Sequence, residues 1–322
     1  MRIGAALLAS VIAGGLITMG PANAADEPAA WAYPRNNLDY KLRTDDGNLV
    51  RVPDSAAGYT WSQLNDLFTT PVWHPGDHVA LPDIVAKGRK PDVQACGVCH
   101  RATGTGGPEN SDLAGLPKSY IIRQMAEYKS GARGTSLPAR IPPRLMTQLS
   151  KAITDAEVEA AAEYFSALPP RKRIKVVETD TAPKTQVARL FWAAAADGGQ
   201  EPLGARIVEI PDDLIRFESR DHRSTFTAYV PIGSLAKGEA LVSTGGSGKT
   251  IQCAVCHGVD LKGLGPLPSL VGRSPSYMFR QLYDFQHGAR TGEWSPLMAP
   301  VVANLDEQDL LAIVAYLASR DP

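Results

Sequence analysis

All four cysteines of the chain lie in two five-residue stretches, Cys96-Gly97-Val98-Cys99-His100 and Cys253-Ala254-Val255-Cys256-His257. Each reads C-x-x-C-H, the attachment signature of a c-type haem. Two thiols three residues apart on a helical turn can each add to a vinyl group on one porphyrin edge. The histidine that follows then lies under the ring and presents its imidazole to the iron. The spacing assigns Cys96, Cys99, Cys253 and Cys256 to covalent attachment, and His100 and His257 to axial ligation, of two covalently bound haem c groups. A structural zinc site would bring two C-x-x-C pairs within about 15–20 residues of each other. Here they stand 157 apart (253 minus 96). A thioredoxin-type pair would need a βαβ context, which neither motif has, and disulfides between the motifs would leave both histidines unexplained.

The elements that must position these residues are duplicated. A shift of 157 places Tyr120 on Tyr277, Arg123 on Arg280, Gln124 on Gln281, and Gly131-Ala132-Arg133 on Gly288-Ala289-Arg290. Beyond Arg133 the second copy is five residues shorter, and the offset becomes 152, so that Ile153 matches Leu305. Each copy runs C-x-x-C-H, a Gly/Pro-rich loop, a helix, a second loop and a final helix. Apolar spacing predicts helices over 119–130 and 276–286. The final helix of copy one opens on a capping box, Thr154 with Glu157, and the final helix of copy two opens at Asp306. A further helix precedes each haem motif, over about 81–88 and 234–244.

The duplication also selects a sixth ligand. Met146 and Met298 each stand seven residues before the apolar residue that leads into the final helix, and the pattern puts both in loops. A thioether is a good ligand for haem iron and raises its potential relative to a second imidazole. Met125 and Met278 are ordinary core methionines, because they fall on the amphipathic helices and match Leu282 and Ile121 in the other copy. Arg133 and Arg290, matched to each other, are candidates for charge-assisted contacts to haem propionates or for surface caps of the helix ends.

This order of motifs resembles class I cytochrome c. In tandem it is similar to the dihaem cytochrome c4 family, each half being of the cytochrome c553 type. The resemblance covers about 81–168 and 232–319. It implies two all-α haem domains with His/Met ligation at each iron; the chain departs from that pattern in an N-terminal extension and a long connector, so the expected fold is mainly α, two tandem class I cytochrome c domains with a small β-containing connector. The expected segments are a signal peptide over 1–24, an N-terminal extension over 25–78, domain one over 79–170, the connector over 171–231 and domain two over 232–322. The extension, rich in aromatics, is expected to wrap over domain one. The connector shows β-like stretches over 173–178, 205–210, 215–218 and 225–230, with a hairpin turning near Arg220.

Arg2, an apolar run and the cleavage signal Ala22-Asn23-Ala24 mark an exported chain, placed in the periplasm and with no transmembrane span once cleaved. The formal net charge is −1, and loss of Arg2 with the leader makes it −2, which argues against nucleic-acid partners. Gly248-Lys249-Thr250 resembles the end of a phosphate loop, but Ser243 stands where that loop needs glycine. His74 and His78 form a polar-loop pair whose ordinary role is hydrogen bonding. The expected function is electron transfer between an upstream dehydrogenase or quinol-oxidising complex and a downstream oxidase or reductase. The alternatives are a dihaem enzyme of peroxidase or thiosulfate-oxidising type, and a dedicated cytochrome subunit of a dehydrogenase.

Overall fold

A computed structural model describes residues 28–322; the leader expected over 1–24 lies outside the described residues. The elements in chain order are α1 (Trp61–Asn65), α2 (Asp83–Ala86), α3 (Cys96–His100), α4 (Lys118–Ser130), α5 (Ile141–Ala152) and α6 (Asp155–Ser166). They are followed by strands β1 (Ile174–Glu178), β2 (Thr181–Pro183), β3 (Thr185–Ala188), β4 (Phe191–Ala194), β5 (Gln200–Pro202) and β6 (Val208–Pro211). Then come α7 (Leu214–Glu218), β7 (Phe226–Val230), α8 (Ser234–Thr244), α9 (Ala254–His257), α10 (Pro275–Gln286), α11 (Ser295–Val302) and α12 (Glu307–Ser319). Among the described residues no helix is long and apolar enough to cross a membrane.

The final helix of each unit starts where its cap dictates. Thr154 Oγ1 accepts from Glu157 N while Glu157 Oε2 accepts from Thr154 N, and Asp306 and Asp309 make the same reciprocal pair at α12. Gly131 ends α4 at φ +84, a left-handed cap that costs glycine little. In the second unit α8 crosses α12 at Gly238. A Cβ there would fall within 2.7 Å of Tyr316 Cβ and closer still to the Ala312 carbonyl, so only glycine permits this approach. The first unit has a four-residue α2 in place of the eleven-residue α8. Pro82 fixes its start and Gly88, at φ +63, turns the chain soon after its end.

The connector departs from a simple hairpin. Strand β1 runs parallel to β7, and β6 runs antiparallel to it, giving the order β1-β7-β6. Residues 215–218, expected as strand, belong to α7, where Asp213 accepts from Arg216 N as the N-cap. The link from β6 to β7 is therefore a capped helical turn rather than a tight hairpin at Arg220. Two further pairs, β2 with β5 and β3 with β4, are antiparallel ribbons that periodicity did not single out. Ile174, Phe226, Ala228 and Val230 of the sheet share one buried core with Leu241, Phe279 and Leu310 of the second unit. Domain one has its own core around Val85, Ile121, Ala162 and Phe165.

The extension divides its contacts. Tyr33 donates to Asp284 Oδ1 at 2.9 Å, and Trp31 packs 4.5 Å from Phe279, both in the second unit. Farther along, Val52, Leu64 and Trp73 make a small core of their own, and Trp73 Nε1 donates to Ser219 O at 2.8 Å. This second part lies against domain one and the connector together.

Candidate haem sites

Each histidine is set by the loop after its own motif. His100 Nδ1 lies 2.8 Å from Ser111 O, and His257 Nδ1 lies 2.8 Å from Pro268 O. A carbonyl only accepts, so each Nδ1 carries the proton and Nε2 keeps its lone pair for a metal. Burial pushes His100 down to about 4 and His257 also below its ordinary range, which keeps both imidazoles neutral. The same loop offset of eleven residues in both units (111 minus 100, 268 minus 257) shows that the positioning carbonyl is part of the repeat.

Cys96, Cys99, His100 and Met146 line one cavity of about 400 Å³, walled by Leu149 and Phe165. Cys253, Cys256, His257 and Met298 line another of about 200 Å³, walled by Leu282 and Ile313. A smaller void of about 100 Å³ carries the first site inward past His100 to the junction between the units. Burial pushes the Cys96 thiol up to about 12 and the Cys253 thiol up to about 11. Two thiols, a neutral imidazole with a fixed Nδ1 and a thioether in an apolar cleft fit a covalent haem with His/Met ligands.

Both methionines differ from expectation in one respect. Met146 sits within α5 and Met298 within α11, so neither lies in a loop. Pro142-Pro143 and Pro296 occupy the first turns, where a missing N–H costs nothing, and the helices follow directly. Met125 and Met278 also reach the cavities, from α4 and α10.

Arg133 and Arg290 are buried at the junction and are not surface caps. They pair as an isolated antiparallel bridge. Gly134 N donates to Ala289 O at 2.8 Å and Thr291 N donates to Ala132 O at 2.7 Å, a reciprocal exchange between the two Gly-Ala-Arg turns. Arg133 donates to Gln124 at 2.7 Å and to Gln281 at 3.1 Å, and Arg290 to Gln124 at 2.8 Å and to Gln281 at 3.2 Å. Arg133 lines the inner void of the first site and Arg290 the cavity of the second. The two sites therefore share one polar wall.

Arg140 was not singled out from the sequence. It is 3% exposed and lines the inner void, and its Nε and Nη2 have no partner. Burial and the neighbouring Arg280 push its guanidinium down to about 9. A desolvated cation with unspent donors beside the first site needs an anion such as a propionate. The repeat hid it, because at the offset of 152 its counterpart is Gly292.

A cytochrome c family model matches residues 85–169 and 235–321. The thiosulfate dehydrogenase electron acceptor of Thiomonas intermedia is 26% identical over 233 residues, covering 71% of this chain and 80% of that protein. Cytochrome c4 of Azotobacter vinelandii is 25% identical over 227 residues, covering 69% of this chain and 82% of that protein. The solved thiosulfate dehydrogenase (TsdBA) of Marichromatium purpuratum aligns with a TM-score of 0.50 at 25% identity, covering 73% of this chain and 38% of that one. With two C-x-x-C-H turns, each beside a cleft for its own group, the chain belongs to the cytochrome c family as a dihaem, cytochrome c4-like electron-transfer protein with two covalently bound haem c groups.

Proposed function

We propose that this chain is an exported carrier that takes electrons from a dehydrogenase or a quinol-oxidising complex and delivers them to a terminal oxidase or reductase. The observation that carries the reading is the matched pair of clefts, each with a neutral imidazole pinned by a carbonyl and a methionine on its wall. Cys96 and Cys99 hold one haem and Cys253 and Cys256 the other. His100 with Met146, and His257 with Met298, are the axial pairs. Haem supplies reversible one-electron chemistry when bound.

The residues of the chain set the terms of that chemistry. Ser111 O and Pro268 O hold the imidazoles in one tautomer. Met146 and Met298, on the walls of the two clefts, would supply the thioether ligands when haem is bound, which would disfavour substrate chemistry at the metal. Leu149, Phe165, Leu282 and Ile313 keep the clefts apolar. Arg133, Arg140 and Arg290 are placed to neutralise propionates at the shared wall. Similarity to proteins named as thiosulfate dehydrogenase electron acceptors supports a dehydrogenase as donor. The leader over 1–24 supports a periplasmic location.

The axial assignment is tested by visible spectroscopy and redox titration. Met298→Ala should abolish half of the weak long-wavelength ferric band that marks thioether ligation, and Met298→His should lower the potential of one haem. An unchanged band and potential in both variants rule out Met298.

A further inference from the structure

The repeat allows each surface position around one haem turn to be compared with its equivalent around the other. Val255, between the two cysteines of the second turn, is 65% exposed, and its equivalent Val98 is 0% exposed. Val259 is 95% exposed, and its equivalent Ala102 is 1% exposed. Leu264 is 58% exposed, whereas its equivalent Gly107 is buried. Cys256 is itself exposed.

What covers the first turn is the chain's own additions. Arg220 Nη1 donates to Val98 O at 2.9 Å and Arg220 Nε to Leu64 O at 2.7 Å, which ties the connector and the extension to the segment between the cysteines. Phe217 packs over Gly107, where a Cβ would come within 3.0 Å of Phe217 Cζ. Arg101, just after His100, holds φ +66, a conformation that Gly258 adopts at the matching place in the second unit. Such a backbone is costly for a residue with a side chain. Here the Arg101 guanidinium lies 4.8 Å above the Phe217 ring and donates to Phe217 O, contacts that offset the strain. Tyr40, Trp61, Phe191, Phe217 and Arg220 all line the first cavity. The residues that line the second cavity come from the two haem units, with none from 28–78 or 171–231.

We infer that the extension and connector seal the cysteine-bearing face of the first site, and that the apolar face formed by Val255, Val259 and Leu264 is the port at which a one-electron redox protein with an apolar contact face docks. The inference rests on the haem occupancy of both sites proposed above. The chain has the means to cover such a face and does so at one site alone. At the other it leaves Val255, Val259 and Leu264 in water, a cost that reversible contact with a partner offsets. The lysines that flank the patch in sequence are already engaged, and Asp260 accepts from the Lys262 backbone N. Lys249 pairs with Asp306 at 3.0 Å and with Asp309, and Lys262 Nζ donates to Pro322 O at 2.9 Å. A complementary partner face is therefore mainly apolar. With both haems bound, one electron from the partner's reduced metal centre would reduce the second site, and the Arg133/Arg290 wall would stand between that site and the first.

The test uses the loaded, ferric protein. A soluble chromium(III) complex is titrated in while the hyperfine-shifted haem methyl signals are followed by NMR. Signals that move in Met298→His belong to the second site and should broaden, while those of the first should not. Phe217→Ala should extend the broadening to the first set. Equal broadening of both sets in the unsubstituted protein, or broadening of the first alone, overturns the inference. Azurin, a copper protein with an apolar contact face, serves as the kinetic probe. Val259→Ser with Leu264→Ser should slow electron exchange with it by about tenfold, with less than about a twofold change across ionic strength. An unchanged rate, or sedimentation showing a dimer of this chain that the two substitutions abolish, overturns the docking assignment. A pyridine haemochrome count of two haems in each sample separates these outcomes from failure of the haem reading itself.

Discussion

The two haem turns are built from the same local parts and finished differently. In each, a short helix starts at or just after the first cysteine and carries the second cysteine and the histidine, and a carbonyl eleven residues after the histidine fixes its ring. Around the second turn the surface is bare, with Val259 and Leu264 in water. Around the first, Phe217, Arg220 and Arg101 close over the same positions. Duplication made two equivalent sites, and two inserted segments then made them unequal. The helix before each turn differs in the opposite sense. In the second unit α8 is long and crosses α12 at Gly238, whereas in the first α2 is a single turn. Each site is thus supported by something the other lacks: a close helix crossing behind the second and a clamped cover in front of the first.

The largest effect expected comes from removing one site outright. Cys253→Ala with Cys256→Ala should leave a single covalent haem, counted by pyridine haemochrome after acid-acetone extraction, and the remaining spectrum is that of the covered site alone. The reciprocal pair, Cys96→Ala with Cys99→Ala, should leave the open site. Two haems surviving in either variant would dissolve the comparison.

A smaller change separates the supports. Gly238→Ala forces α8 away from α12 and should destabilise the second unit by about 1–3 kcal/mol, read as a lower unfolding temperature of the second haem's spectroscopic signal. The first haem's signal should hold. Equal loss at both sites would show that the units unfold as one, coupled through Arg133 and Arg290.

The smallest effect is one of pH. His222 is buried in the clasp of the cover, its Nε2 3.0 Å from Asp77 and its ring packed edge-on against His74 and His78. Asp221 is paired with His74 and Arg216, and Asp77 also takes Arg223 and Arg171. A free imidazole titrates near 6.5, and burial pushes His222 down to about 4. Between those values the opened clasp binds more protons than the closed one, so its stability falls as pH drops through that window. Asp77, which the Arg223 hydrogen bond holds well below the usual carboxylate range, adds its loss only at lower pH. In residues 74–78 and 219–223 the protection against hydrogen exchange, taken relative to the intrinsic rate at each pH, should fall from pH 6.5 toward 4, before any change around Val255. Protection flat across that range would remove His222 from the clasp.

The sequence by itself determined the chemistry and the repeat. C-x-x-C-H needs only local spacing, because a helical turn brings its thiols and imidazole together whatever surrounds it. Capping residues and apolar periodicity are equally local, which is why α6, α8 and α12 were legible nearly to the residue. Matching one copy against the other picked out Met146 and Met298, which the fold places in the walls of their clefts on helices instead of loops. Tertiary structure alone decided the rest. Residues 215–218 are as apolar as a strand, yet Asp213 caps them into a helix while β1 and β7, about fifty residues apart, pair in parallel. Arg133 and Arg290 read equally as propionate partners or as surface caps until the two units meet and bury them against Gln124 and Gln281. Arg140 has no counterpart in the repeat, and its unspent donors show only when the inner void closes around it. The cover over the first site joins segments more than a hundred residues apart, Leu64 and Val98 to Arg220. No local pattern encodes that contact, because its free energy arises only when the distant surfaces exclude water together.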